Sequence, residues 1–179
     1  AGAVRDGVGM YIGDPIKAAR QRKNLSRIAQ MAKEKIGDQK LDQDMSMTVA
    51  EAVLDASKNE DREALQEIWA SLLAKIALGQ AKNIRIDFFE TLKKFEPIDA
   101  VTFRKIAEKD LSPKSINIDT SKWSNTIDSI CIEAGVDKDD VNISIAELIK
   151  LDCLARRPDH AEAHITARGK KIYQTIRPS

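Results

Sequence analysis

The chain has 179 residues, with 29 Lys and Arg against 28 Asp and Glu, long enough for one large domain or two small ones with a real core. A net charge of +1 argues against a generalised polyanion binder, and few aromatics, glycines and prolines favour a helical protein held by Leu, Ile and Ala packing. No apolar run approaches the ~20 residues of a bilayer span and no signal peptide is present, so a cytoplasmic location is expected.

The chain starts at Ala1 without a methionine, which raises the expectation of a processed product or an excised domain with sequence upstream. Residues 1–13, punctuated by Gly2, Gly7, Gly9 and Gly13, read as a flexible lead-in. They miss the dinucleotide fingerprint by one residue in the last spacing and follow no strand. Asp14-Pro15 is a cap followed by proline at the first helical position. It opens a basic helix to about Ile36, with Leu25, Ile28, Ala29, Ala32 and Ile36 on its apolar face and Lys17, Arg20, Arg22, Lys23 and Arg27 mostly elsewhere. Residues 1–40 carry nine Lys/Arg against four Asp/Glu, whereas residues 41–110 carry ten against fourteen. The basic helix therefore offers a contact for an anionic membrane surface or nucleic acid, or simply complements the acidic middle. Gly37-Asp38 ends it. Thr48 with Glu51 forms a capping box for a short helix through Val49, Ala52, Val53 and Ala56.

The segment Asn59 to Gly79 is the strongest helix. Leu65, Ile68, Trp69, Leu72, Leu73 and Ile76 fall at offsets 0, 3, 4, 7, 8 and 11, one apolar face. Asn59 or Asp61 can cap its start, and Gly79 suits a left-handed stop. A parallel line of small residues, Ala70, Ala74, Ala77 and Ala81, lets another helix approach, so burial on two sides is expected. This helix reads as scaffold.

Ile86 to Phe95 predicts a further helix carrying Ile86, Phe89, Leu92 and Phe95, and Glu96-Pro97 restarts another with Ile98, Val101 and Ile106 inward. The Leu111-Ser112-Pro113 break marks the expected domain boundary. Trp123, Ile127, Ile130 and Ala134 define a helix ended by Gly135, and Ser144 with Glu147 forms a second capping box leading Ile145, Leu148, Ile149 and Leu151. Leu154 to Arg157 and Ala163 to Thr166 read as short strands around Pro158-Asp159, and Thr166 caps a last helix with Ile172, Tyr173 and Ile176. Helix, strand, turn, strand, helix is the closing order of a winged-helix module.

Reactive groups are scarce. His160, Glu162 and His164 form the only cluster resembling metal ligands, but the glutamate is one position too late for the zinc-protease pattern and the setting is a hairpin. A solvated wing is the better reading. Cys131 and Cys153 lie in apolar-periodic segments and read as buried free thiols. No nucleophile has a positioned base, so neither an enzyme, a cofactor, a metal nor a small-molecule substrate is expected. For DNA, the second helix of a winged helix would enter the major groove. That helix, about Ile145 to Asp152, exposes Glu147, Lys150 and Asp152, which does not seek phosphate. The wing is better, with Arg156, Arg157, Arg168, Lys170 and Lys171 close together.

The residues of the central helix also carry a likeness. Leu65-Gln66-Glu67-Ile68-Trp69-Ala70-Ser71-Leu72-Leu73-Ala74, after the acidic run from Glu60, resembles the Abi-alpha family, named for abortive infection against bacteriophage. Ser71 stands where that family usually has asparagine. Phe88-Phe89-Glu90-Thr91-Leu92-Lys93-Lys94-Phe95 with Pro97 is similar to its next helix pair, although Arg85-Ile86-Asp87 replaces a common His-Pro. Leu154, Ile165-Thr166 and Gly169 are similar to its C-terminal end. The clear likeness covers residues 48–110. It implies bacterial phage defence and supplies no catalytic residues.

The expected architecture is mainly helical: a lead-in (1–13), a helical bundle (14–110) and a winged-helix-like domain with a small hairpin (111–179). The expected function is a non-enzymatic, protein-interaction component of phage defence. Its partner surface is placed first at Arg156, Arg157 and Arg168 and second at Arg20, Lys23 and Arg27. The alternative is a DNA-binding regulator acting through the wing; a toxin or membrane effector working through residues 1–40 is a third class.

Overall fold

The computed structural model describes residues 14–81, 84–112, 120–158 and 162–177; the expected lead-in, 1–13, lies outside them. Among the described residues there are eight helices and one two-stranded antiparallel hairpin: α1 (Asp14–Ile36), α2 (Met47–Ser57), α3 (Glu63–Ala77), α4 (Asp87–Leu92), α5 (Pro97–Leu111), α6 (Thr120–Ala134), α7 (Lys138–Lys150), β1 (Leu154–Arg156), β2 (Ala163–Ile165) and α8 (Ala167–Ile176). The mainly helical class with a C-terminal hairpin is thus as the sequence predicts. None of the described helices is long and apolar enough to cross a membrane. The chain divides into two compact units between Phe89 and Glu90, within α4. The sequence break at Leu111-Ser112 falls instead inside the second unit, because α5 shares its packing with α6, α7, β2 and α8.

In the first unit α3 is the centre, packed by α1 on one side and α2 on another. Leu65, Trp69, Leu72 and Ile76 are buried, and Ile68 and Leu73 half-buried. Of the line of small residues, Ala70 is fully buried and Ala74 nearly so, whereas Ala77 and Ala81 are half-buried. Ile28 and Ala32 of α1 and Val53 of α2 complete the core. Trp69 meets Phe89 edge to face at 6.2 Å, a favoured aromatic geometry. Gly79 takes φ +69°, and the Gln80 amide donates back to the Lys75 carbonyl at 2.9 Å, closing the helix end. A side chain at Gly79 would run into the Asp42 carboxylate, whose own amide donates to Ala77 O.

The starts of these helices differ from expectation. Neither Asn59 nor Asp61 caps α3; Arg62 is the N-cap and makes no side-chain cap bond. The two candidate caps bond to α1 instead, Asn59 accepting from Gln21 at 3.0 Å and Asp61 pairing with Arg20. For α2 the cap is Ser46 rather than Thr48, its hydroxyl accepting from the Val49 amide. The helix predicted from Ile86 to Phe95 is only α4: Ile86 is exposed, and Lys94 and Phe95 close in three-residue turns onto Thr91 and Leu92. The extended Glu96, with ψ 162°, is what the following proline requires.

In the second unit α5 is the hub. Pro97 begins it, and the Glu96 amide donates to Asp99 Oδ2 at 2.8 Å. Phe95, Phe103 and Tyr173 form an edge-to-face chain with centroids 5.7 and 6.2 Å apart. Gly135, at φ +67°, ends α6 as predicted. The second capping box does not exist. Asp137 caps α7 by accepting from the Asp139 and Asp140 amides, so the helix starts two turns before Ser144. Ser144 is then an interior residue whose hydroxyl donates to Asp99 Oδ1 at 2.6 Å. In the hairpin Leu154 faces Ile165, Ala155 faces His164 and Arg156 faces Ala163. The Ile165 amide donates to Asp110 Oδ2 at 2.7 Å, giving a strand amide a partner from a helix side chain. Thr166 caps α8, as its sequence position predicts, by accepting from the Gly169 amide at 2.8 Å. Gly169 is there for space: a Cβ would collide with the Cys153 carbonyl oxygen.

Candidate functional site

The sequence favours the hairpin and the last helix as a contact surface, and their local structure sets which side chains are available. On β1 the burial alternates, so Leu154 is buried while Arg156 is exposed. Arg157 is half-buried, and its amide donates to Glu162 O at 3.0 Å across the turn. On α8 the apolar side chains Ile172, Tyr173 and Ile176 turn inward. Ala167, Lys170, Lys171, Gln174 and Arg177 are exposed on the opposite stripe, and the helix contains no acidic residue. Arg168 stands apart from this stripe, half-buried and donating to Thr91 Oγ1 at 2.8 Å. Of the three residues placed first, Arg156 is therefore fully presented and Arg168 is engaged in the fold. Lys170, Lys171 and Arg177 extend the exposed basic set; α8's amphipathic spacing was the signal for them.

The second group, Arg20, Lys23 and Arg27, divides in the same way. Arg20 pairs with Asp61, and Arg27 with Glu63 at 2.8 Å, so the acidic approach to α3 takes two of the three cations. Lys23 is exposed. The charge complementarity of basic helix and acidic middle is thus realised inside the first unit.

Among the predicted metal-like residues, His160 lies outside the described residues. Glu162 is not solvated as a wing residue would be: it is buried and pairs with Lys109 at 3.2 Å. Lys109 also lies 4.7 Å from the centre of the Trp123 ring, a cation–π arrangement. His164 is half-buried with its Nδ1 buried and without a hydrogen-bond partner. Among the described residues no group of three or more His, Cys, Asp or Glu is arranged to hold a metal ion.

Of the ionisable groups perturbed in the second unit, Cys153 and Asp99 are the ones whose chemistry bears on a site. Burial pushes the Cys153 thiol up to about 12, against a smaller downward pull from Arg168, so the thiol stays protonated and is a poor nucleophile. Cys131 is half-buried rather than buried. Burial also raises the Asp99 carboxyl above its ordinary value, more strongly than its hydrogen bonds from Ser144 and the Glu96 amide lower it. Asp99 was not singled out by sequence, because its partner Ser144 is 45 residues away.

The outer face of α7, the helix that would face DNA, exposes Asp139, Asp140 and Glu147 against Lys138 and Lys150, with Asn142 and Ile143 between them. Its carboxylates outnumber its cations, which disfavours phosphate.

A protein-family model described as abortive infection alpha matches residues 19–177, both compact units and well beyond the stretch 48–110 that carries the plainest likeness. No curated protein and no solved structure matches the chain.

Proposed function

The chain belongs to the abortive infection alpha family, and from that premise we propose that it serves phage defence as a non-enzymatic component acting through protein contacts. The observation that carries the reading is the length of the family match, which takes in the hairpin and α8 as well as the α3 scaffold. The contact surface is the exposed basic set of the hairpin and last helix, Arg156, Lys170 and Lys171, with Arg157 and Arg168 at its edge. The first unit acts as scaffold, and the partner is a protein presenting acidic side chains. A cytoplasmic location accords with this reading.

The test is phage burst size in bacteria expressing the chain, against empty vector and against Arg156→Glu/Lys170→Glu. Reduced burst with the native chain and recovery with the variant is the expected pattern. Native chain that leaves burst size unchanged across a varied phage panel would sink the defence reading.

A DNA-binding regulator of winged-helix type is the second reading, favoured by the exposed cations Lys170, Lys171 and Arg156. It requires tight double-stranded DNA binding that falls steeply with salt and weakens for every sequence when Arg156 and Arg157 become alanine. The acidic outer face of α7 favours protein contact over this. A membrane contact through residues 1–40 has less support, since Arg20 and Arg27 are engaged by Asp61 and Glu63. Liposome binding by the intact chain, lost on deleting residues 1–40, would revive it.

A further inference from the structure

Within the second unit, an open groove of about 280 Å³ runs between the start of α5 and the outer face of α7. Ile98, Val136 and Ile143 supply its apolar lining, and Glu96, Asp140 and Glu147 frame it with carboxylates, of which Glu147 also pairs with Lys150 one turn on. Ile143 is 62 % exposed, an aliphatic side chain left in water amid like charges. Such a groove suits an aliphatic anchor flanked by lysine and arginine, because the anchor gains apolar burial while the rim favours cations.

The chain carries that complement on α1. Ile16 is 63 % exposed, and Ile16, Ala19 and Lys23 recur at offsets 0, 3 and 7 along the exposed side of the helix, with Arg22 beside Lys23. Arg20 and Arg27 are engaged by Asp61 and Glu63. Lys17, Arg22 and Lys23 form no side-chain ion pair among the described residues.

We propose that the groove takes the outer stripe of α1 from a second copy of the chain, with Ile16 seated against Ile143 and Arg22 and Lys23 facing Glu96, Asp140 and Glu147. A second copy is the occupant because one sequence supplies both an acid-framed apolar groove and a cationic stripe with a matching isoleucine. The contact joins two different surfaces, so it closes into a dimer if made reciprocally and otherwise extends into longer assemblies. The inference is independent of the defence reading; its readout is association of the purified chain, so either can fail alone.

Sedimentation velocity of the full chain from ~1 µM to ~1 mM, at low and high salt, tests it. The expected result is reversible association that weakens at least ~10-fold in high salt. Ile143→Asp, Glu147→Lys and Lys23→Glu should each weaken it by a similar factor. These positions are exposed, and circular dichroism checks that each variant folds. Mixing Lys23→Glu with Glu147→Lys should restore the association that each variant alone weakens, because the reversed stripe then meets the reversed groove. A chain monomeric throughout, association indifferent to all three substitutions, or a mixture that fails to recover would overturn the proposal. A monomeric chain that binds a synthetic Lys/Arg-rich helical peptide with a central isoleucine, and loses it in Glu147→Lys, would overturn it in favour of a partner's basic helix.

Discussion

The two compact units place their charged side chains differently. In the first, the pairs joining α1 to the approach of α3 stay in water: the side chains of Arg27 and Glu63 are 48 % and 71 % exposed, around a core of Leu65, Trp69, Leu72 and Phe89. In the second, polar contacts are drawn inside. Asp99 and Ser144 bond in a buried site, Glu162 meets Lys109 with only 7 % of its side chain exposed, and Asp110 holds a strand amide. Exposed pairs contribute little because water and salt screen them. A buried pair costs much to break, because the partner left behind cannot return to water. The first unit buries polar groups too, Asn24 donating to Lys58 O and Gln66 to Glu60 O. The contrast therefore lies in the charged pairs: those joining α1 to the approach of α3 lie in water, and the second unit also depends on a buried carboxylate meeting its cation.

That contrast predicts a ranking of substitutions. The largest effect should come from the apolar centre of the first unit: Trp69→Ala should cost about 3–5 kcal/mol in urea unfolding. Hydrogen exchange should quicken first in α1–α3; loss below about 1 kcal/mol would mean that Trp69 is not the anchor. Next, Lys109→Met should cost about 2–3 kcal/mol by leaving Glu162 buried without its cation, against almost nothing if water reaches the carboxylate.

Ser144→Ala should cost about 1–2 kcal/mol at neutral pH, and less in acid, where Asp99 is protonated. That sign follows from the Ser144 hydrogen bond, which favours the charged carboxylate; burial acts the other way and more strongly, raising the Asp99 carboxyl above its ordinary 3.8. The folded chain holds that proton more tightly than the unfolded chain. The stability linked to it is complete below about pH 3.8 and is lost as pH rises through the raised value. Asp99→Asn should flatten this part of the stability–pH profile; an unchanged slope would show that Asp99 titrates normally. The smallest effect belongs to the exposed pair: Arg27→Ala should cost less than about 0.5 kcal/mol and shrink further in salt. A cost near that of Lys109→Met would erase the distinction between the units.

Sequence reading of the fold was most reliable where the cause was local. The α3 stripe, the left-handed stops at Gly79 and Gly135, and the Thr166 cap all follow from a few consecutive residues. It erred where two local solutions competed. Asn59, Asp61 and Ser144 are good caps in isolation, yet each bonds a distant residue: Gln21, Arg20 and Asp99. The candidate surface was legible as a concentration of cations at Arg156–Arg157 and Arg168–Lys171. Which of them face water was not. Arg168 turns to Thr91 and Glu162 is buried against Lys109 because of contacts 77 and 53 residues apart.

By itself the sequence determined the helical class, the hairpin, the inward face of α3 at Trp69 and Leu72, and the family. Those rest on periodicity, on glycine and proline stereochemistry, and on a residue pattern, all contained in short stretches of chain. Only the tertiary structure decided that α5 belongs with the C-terminal elements, that Asp99 meets Ser144, and that an acid-framed groove lies open beside Ile143. Each of these depends on which distant faces meet, and meeting fixes what water can still reach.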